Sequence, residues 1–218
     1  MNATRDQVLG NIRRALNRRE PLGEGLRAGL DQRLANPVPG VQPHYAVTPV
    51  ERFITKVQAV HGIVTRVATL EHVAPAVEDH VKRFSLPFEL AVAPDPALQG
   101  IPWSNQFKVE RRAAVASDRI SVTGSFAGVG ETGTVVLLSS PLSPTTLNFL
   151  PEDHIIVLRE QRVVRHLEDV WRALREEFGA MPRTVNLITG PSKTADVDQE
   201  LQEGAHGPRR LHVVLVAA

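Results

Sequence analysis

The stretch Thr48-Pro49-Val50-Glu51-Arg52-Phe53-Ile54-Thr55-Lys56-Val57-Gln58-Ala59-Val60-His61-Gly62-Ile63-Val64-Thr65-Arg66-Val67-Ala68 changes its hydrophobic period at Gly62, and that change decides the fold class. Thr48 and Glu51 form a capping box, with proline at the first helical position. Behind them Val50, Phe53, Ile54, Val57 and Val60 make one apolar stripe at helical spacing, and Gly62 offers a stop. Residues 63–68 are then rich in β-branched side chains and read as a strand. Downstream the alternation continues. A helix is expected over 71–84 with Val73, Val77, Val81 and Phe84 inward, a short strand over 89–93 and a loop over 94–102. Strands follow at 120–123, 134–138, 154–158, 184–189 and 211–216, with an amphipathic helix at 167–178 burying Val170, Trp171, Leu174 and Phe178. Near-continuous apolar strands alternating with amphipathic helices indicate an α/β domain with a mostly parallel sheet covered on both faces.

Upstream of Thr48 the pattern differs. Residues 4–19 set Val8, Leu9, Ile12 and Leu16 on one helical face, with Thr4 as N-cap and arginines opposite. From 20 to 47, Pro21, Gly23, Gly25, Pro37, Pro39, Gly40 and Pro43 argue against any regular element. The expected organisation is an N-terminal helix and extended arm over 1–47, followed by the α/β domain over 48–218. With 25 Lys+Arg against 24 Asp+Glu, net charge points to neither nucleic acid nor a membrane surface. The pairs Arg13-Arg14, Arg18-Arg19 and Arg209-Arg210 read as solvated faces. No apolar run reaches membrane-spanning length and the N-terminus lacks a signal core, so a cytoplasmic location is expected. The 218 residues contain no cysteine, which removes disulfides, a thiolate nucleophile, Cys-ligated zinc and an iron–sulfur cluster held by this chain alone.

Two glycine-rich stretches hold the candidate chemistry. Residues 123–134 run Thr-Gly-Ser-Phe-Ala-Gly-Val-Gly-Glu-Thr-Gly-Thr, with Glu131 the sole charge in an otherwise buried run. A carboxylate there must be paired, hydrogen-bonded or neutralised. Gly130, Thr132, Gly133 and Thr134 are candidate ligand contacts, although neither the Walker loop nor the dinucleotide fingerprint is present. Residues 190–196, Gly-Pro-Ser-Lys-Thr-Ala-Asp, are followed at 204–208 by Gly-Ala-His-Gly-Pro. They read as two loops bracketing a short helix that begins near Ser192. Gly190, Ser192, Lys193, Thr194 and Asp196 are candidate anion contacts, and His206 a candidate proton donor or acceptor. Ser192 or Thr194 as an N-cap, Asp196 as a first-turn carboxylate, and His206 as a turn anchor are equally open. A Ser192–His206–Asp196 triad lacks the nucleophile elbow, and a metal set of His154, His206, Asp196 and Glu131 lacks His-pair spacing. His44, His61, His72, His80, His166 and His212 are scattered singly. Because both glycine loops follow strands, they are expected to share one cleft beyond the strand C-termini.

Four ordered motifs, Gly130-Glu131-Thr132-Gly133-Thr134, Leu150-Pro151-Glu152-Asp153-His154, Gly190 to Asp196 and Gly204-Ala205-His206-Gly207-Pro208, together resemble the LUD-domain family over about residues 50–217. The resemblance implies a Rossmann-like three-layer sandwich of the kind shared by sugar-phosphate isomerases and CoA transferases. It also implies a cytoplasmic role in oxidising L-lactate to pyruvate alongside two iron–sulfur partner proteins, which would carry the clusters this chain has no thiols to hold. No cofactor is expected on this chain alone, and its cleft is expected to take a small anionic ligand. Glu131-Thr132-Gly133 resembles the Glu-x-Gly turn of CoA transferases. That keeps open a stand-alone acyl-CoA or phosphosugar enzyme using Glu131, and a pure scaffold subunit is the third reading.

Overall fold

A computed structural model describes residues 2–17, 22–38, 40–194 and 202–217. The chain divides into two compact units, Met1–Gln42 and Pro43–Ala218. The first unit holds α1 (Asn2–Ala15) and α2 (Glu24–Ala35). Helix α2 lies in the stretch whose glycines argue for an irregular arm. Gly25 and Gly29 are tolerated inside it at about 1 kcal/mol each relative to alanine, and Leu26, Leu30 and Leu34 keep a four-residue spacing along it.

The second unit contains α3 (Pro49–Ala59), β1 (Ile63–Val67), α4 (Val73–Arg83), β2 (Glu89–Val92), β3 (Lys108–Arg111), β4 (Ile120–Gly124), β5 (Ala127–Val129) and β6 (Thr134–Leu138). It continues through α5 (Thr146–Phe149), β7 (Asp153–Arg159), β8 (Val163–Val164), α6 (Leu167–Phe178), β9 (Val185–Ile188), β10 (Lys193–Thr194), β11 (Gln202–Glu203) and β12 (Arg210–Val216). The Thr48 capping box forms as expected: its hydroxyl accepts from Glu51 N at 3.2 Å, and Thr48 N donates back to the Glu51 carboxylate at 3.0 Å.

Six strands form one wholly parallel sheet in the order β1-β12-β7-β4-β2-β3. Both of its faces are buried, as near-continuous apolar strands require. Ile155, Val157, Val214 and Val216 pack with α4 residues Val73, Val77 and Val81 on one face. Alternate residues Ile156, Leu158, Val213 and Leu215 pack with Phe53 and Val57 of α3 on the other. The mostly parallel sheet between covered faces is therefore present.

The strands at 134–138 and 184–189 do not join that sheet. They form β6 and β9 of a second, four-stranded sheet in the order β8-β5-β6-β9, antiparallel except for β5 with β8. Val135 and Leu137 turn inward to the α3 core, while Val136 meets Val170 and Leu174 of α6 on the far side. A buried strand has the same β-branched signature in either sheet; only its partners differ.

Candidate functional site

The glycine run at 124–133 is a hairpin pressed against α3, not an open loop. A Cβ on Gly130 would come within 2.6 Å of Pro49 O. Gly133 has φ +75° and would meet Lys56 and Val57 at 2.7–2.9 Å, so both positions demand glycine for close packing. Glu131 N donates to Arg165 O at 3.1 Å, and the Glu131 carboxylate accepts from His166 Nδ1 at 3.1 Å. His166 is nearly buried and packs edge-on to Tyr45. The Tyr45 ring lies between the guanidinium groups of Arg52 and Arg165, each 4.4 Å from its centroid, and its hydroxyl donates to Arg165 O at 2.7 Å. The carboxylate is half-buried rather than buried, and its hydrogen bond to His166 supplies the partner that a desolvated carboxylate needs.

The second glycine stretch also differs from its reading. Lys193 and Thr194 form β10, paired antiparallel with Gln202 and Glu203 of β11, so no helix begins at Ser192. Asp196 lies outside the described residues, and the written triad with it. Lys193 Nζ sits 3.4 Å from Glu203, which occupies the charge proposed for an anion. Ser192 joins the two loops: its N donates to Pro208 O at 2.8 Å, its carbonyl accepts from Gly204 N at 3.0 Å, and its Oγ accepts from His206 N at 3.4 Å. The chain Thr132–Thr134–Thr189 links the two glycine stretches through hydroxyl contacts of 2.6 and 2.7 Å. Gly190, at φ +89°, packs on Val60.

Ser192, His206, Thr189, Gly190 and Asn148 line a cavity of about 240 Å³ with Phe149 as an apolar wall. Asn148 is 2% exposed, and its side-chain oxygen has no hydrogen-bond partner among the described residues. No residue of the 124–133 hairpin lines this cavity, so the two glycine stretches do not share a cleft. The physical reason is the second sheet. Because β9 runs antiparallel to β6, its following loop starts beside the Thr132–Thr134 turn, but it then runs on to the residues that precede β12, at the amino end of the parallel strands rather than beyond their carboxyl ends.

Asp153 and His154 of the Leu150 to His154 motif build core, while Leu150 and Glu152 are exposed. Asp153 is fully buried and accepts from His80 Nε2 at 2.9 Å and from Arg210 at 2.6 and 2.7 Å. Burial pushes its carboxyl up, but the hydrogen bonds from His80 and Arg210 prevail and hold it below the ordinary carboxylate range. His154 Nε2 contacts Thr123 Oγ1 at 2.8 Å, and burial pulls this imidazole down to about 3. His212, stacked on His80 and 2.9 Å from Thr65 Oγ1, is likewise pulled down to about 3 by burial and then by the neighbouring His80 and Arg83 charges. His154, His206 and Glu131 form no common ligand set: among the described residues no three His, Cys, Asp or Glu side chains are placed to hold a metal.

Sequence reasoning missed Asn148, which sits in the Pro/Thr-rich segment before the motif, and missed the partners of Glu131. His166 carried a signal: it precedes the apolar stripe of α6 with Asp169 three residues on, and its N donates to Asp169 at 3.0 Å as a helix start requires.

A parallel six-stranded sheet with a small, mostly antiparallel sheet on one face defines an α/β class of domain. The LUD domain family matches residues 50–216, and the chain belongs to that family. A lactate utilization protein C from an Exiguobacterium species is 33% identical over 117 residues, 52% of this chain and 50% of that one. The Bacillus subtilis lactate utilization protein C is 31% identical over 101 residues, 45% of this chain and 42% of its own length. An uncharacterized protein from Neisseria meningitidis serogroup B is 36% identical over 94 residues, 43% of this chain and 40% of its own. The matched part thus spans half or less of each of these relatives. A DUF162 family protein from Deinococcus radiodurans, solved at 1.70 Å, superposes with TM-score 0.59 at 19% identity, covering 78% of this chain and 99% of the other. That likeness shows the fold. Among the described residues no helix is long and apolar enough to cross a membrane.

Proposed function

We propose that this chain is a lactate utilization protein: the non-redox component of an iron–sulfur-dependent system that oxidises L-lactate to pyruvate, binding a small carboxylate in the cavity at Ser192 and His206. The observation that carries this reading is the run of relatives named lactate utilization protein C, matched at about 30% identity. Two features support it. A chain with no thiolate leaves cluster ligation to partner subunits. A cavity of about 240 Å³ lies below the ~300–1,000 Å³ usual for drug-sized ligands, which suits a ligand of few atoms.

Ser192, Thr189, Asn148 and His206 provide hydrogen-bonding groups there for a ligand that both donates and accepts, as the hydroxyl and carboxylate of L-lactate do. Glu131 lines none of this cavity and is engaged by His166, so the stand-alone enzyme reading draws less support from its surroundings.

Thermal denaturation of the full chain with L-lactate and with pyruvate tests the proposal. A ligand present at 100 times its dissociation constant stabilises by about 2.7 kcal/mol. That gain should vanish in Asn148→Ala and Ser192→Ala and persist in Glu131→Gln. Reconstitution with iron–sulfur partners should show lactate oxidation that needs this chain. A carboxylate effect insensitive to both cavity variants, or none at all, refutes the cleft. Lactate oxidation indifferent to the chain refutes the role. Activity that survives Ser192→Ala but fails on deletion of residues 1–47 would favour the scaffold.

A further inference from the structure

The proposed carboxylate cavity lies at the amino end of the parallel sheet. Its carboxyl end holds a second concavity of different chemistry. In the order β1-β12-β7-β4-β2-β3 the chain leaves β2 outward to β3 but leaves β4 for β5 and β6 of the second sheet, rejoining this sheet in the other direction at β7. Neighbouring strands β2 and β4 thus send their connections apart, and a crevice opens beyond their carboxyl ends where open α/β sheets bind ligands. Asp95, three residues past β2, and residues 124–126, at the end of β4, line a cavity of about 380 Å³ at this point. Its other walls come from the turn after β6 and from Phe178 at the end of α6.

The polar atoms here are divided between acceptors and donors. Asp95 Oδ1 accepts from Ala97 N at 2.9 Å, which caps the short turn that follows, while Oδ2 has no hydrogen-bond donor among the described residues. That oxygen rests against Gly124, where a Cβ would come within 2.8 Å of it. Ser140 Oγ accepts from Leu142 N and Ser143 N at 3.2 and 3.0 Å, which leaves its own proton to donate. Ser139 Oγ accepts from Thr184 N at 2.9 Å and keeps its proton in the same way. Phe126 and Phe178, edge to face at 5.9 Å, supply an apolar wall beside these groups. No lysine or arginine lines the cavity among the described residues; the Arg162 guanidinium stands over the Phe126 ring, 5.4 Å from its centroid, and is itself bridged to Glu177.

We propose that this crevice is a second ligand site, for a neutral ring bearing a vicinal diol: the diol donates to Asp95 Oδ2 and accepts from serine hydroxyls, and the apolar ring face lies on Phe126. A hydroxyl both donates and accepts, and this cavity offers both complements. A carboxylate at the end of a parallel strand, with no cation beside it, repels the anions that the amino-end cavity is proposed to take. The volume suits one sugar ring or a nucleoside. A free sugar and the ribose of a nucleoside present the same diol, so both are probes.

The test is isothermal titration and saturation-transfer NMR on the full chain with D-ribose, with adenosine, and with L-lactate as an anionic control. Binding of either diol is expected. Ribose binding as tightly as adenosine assigns the site to free sugars, and tighter adenosine assigns it to nucleosides. Asp95→Asn keeps the turn cap, since asparagine caps as well as aspartate. It should weaken the diol about tenfold or more, the usual effect of losing a charged hydrogen-bond partner. Gly124→Ala, which displaces the same oxygen without altering Asp95 itself, should do likewise, and Ser192→Ala should leave affinity unchanged. The site is overturned if neither diol binds, if both variants bind like wild type, or if L-lactate competes for it.

Discussion

Acidification from pH 7.5 to 5.5 is expected to remove about 2.7 kcal/mol of folding stability through two buried imidazoles. His154 is fully buried, and His212 is 2% exposed. Burial pulls both from an ordinary 6.5 down to about 3. In the unfolded chain each takes up a proton as the pH falls through 6.5; in the folded chain neither does until about 3. The unfolded state therefore binds more protons throughout this window, and stability falls with pH. For each residue the difference is RT ln(11/1.1), about 1.4 kcal/mol, so the pair gives about 2.7 kcal/mol. That is a large share of the ~5–15 kcal/mol typical of a domain. Asp153 does not add to it. Its lowered carboxyl contributes stability that is fully present above the ordinary carboxylate value and lost only as the pH falls below about 4. Urea denaturation followed by the fluorescence of Trp103 and Trp171 at pH 7.5, 6.5 and 5.5 measures the slope directly. His154→Gln and His212→Gln should each halve it, whatever they do to stability at pH 7.5. A flat wild-type profile, or the same slope in both variants, would refute the assignment of buried neutral imidazoles.

Arg210→Ala removes the bidentate partner of a fully buried carboxylate and should destabilise by about 3–5 kcal/mol in urea denaturation at pH 7. A loss below about 1 kcal/mol would mean that Asp153 is sustained by His80 alone. Gly133→Ala imposes a side chain at φ +75° within 2.9 Å of α3 and should lose more than about 1 kcal/mol by the same assay. Gly29→Ala, which meets nothing within 4 Å in α2, should instead raise helical content, a gain of about 1 kcal/mol in that helix. Equal effects of the two alanines would show that space and φ are not what hold Gly133.

Much of the architecture was legible because period and capping are local. The Thr48 box, the stripe of α3 and the α6 span, ending at Gly179 with φ +63°, are each written within a few residues, whereas the left-handed residue after α3 is His61, at φ +66°, one before the expected Gly62. Helix α2 escaped because Gly25 and Gly29 weigh against a helix, whereas the leucine spacing favours one. The site was less legible. Ser192 and His206 were singled out from their loops and do line one cavity, yet Asn148, which completes it, carries no local mark. Glu131 stood out as a lone charge in an apolar run, but its partners His166 and Arg165 come from a distant segment.

Sequence by itself determined that this chain builds an α/β domain of the LUD family with a parallel sheet buried on both faces, because β-branched runs and amphipathic stripes leave few other ways to remove apolar area from water. It also determined where glycine was needed, though not why. Tertiary structure alone decided which strands pair. A buried strand reads the same in either sheet, so only the assembled fold could place β6 and β9 in the antiparallel layer. That placement carried the Ser192–His206 loops to the amino end of β12, turned the Glu131 hairpin onto α3, and left the carboxyl-end crevice to Asp95 and Gly124.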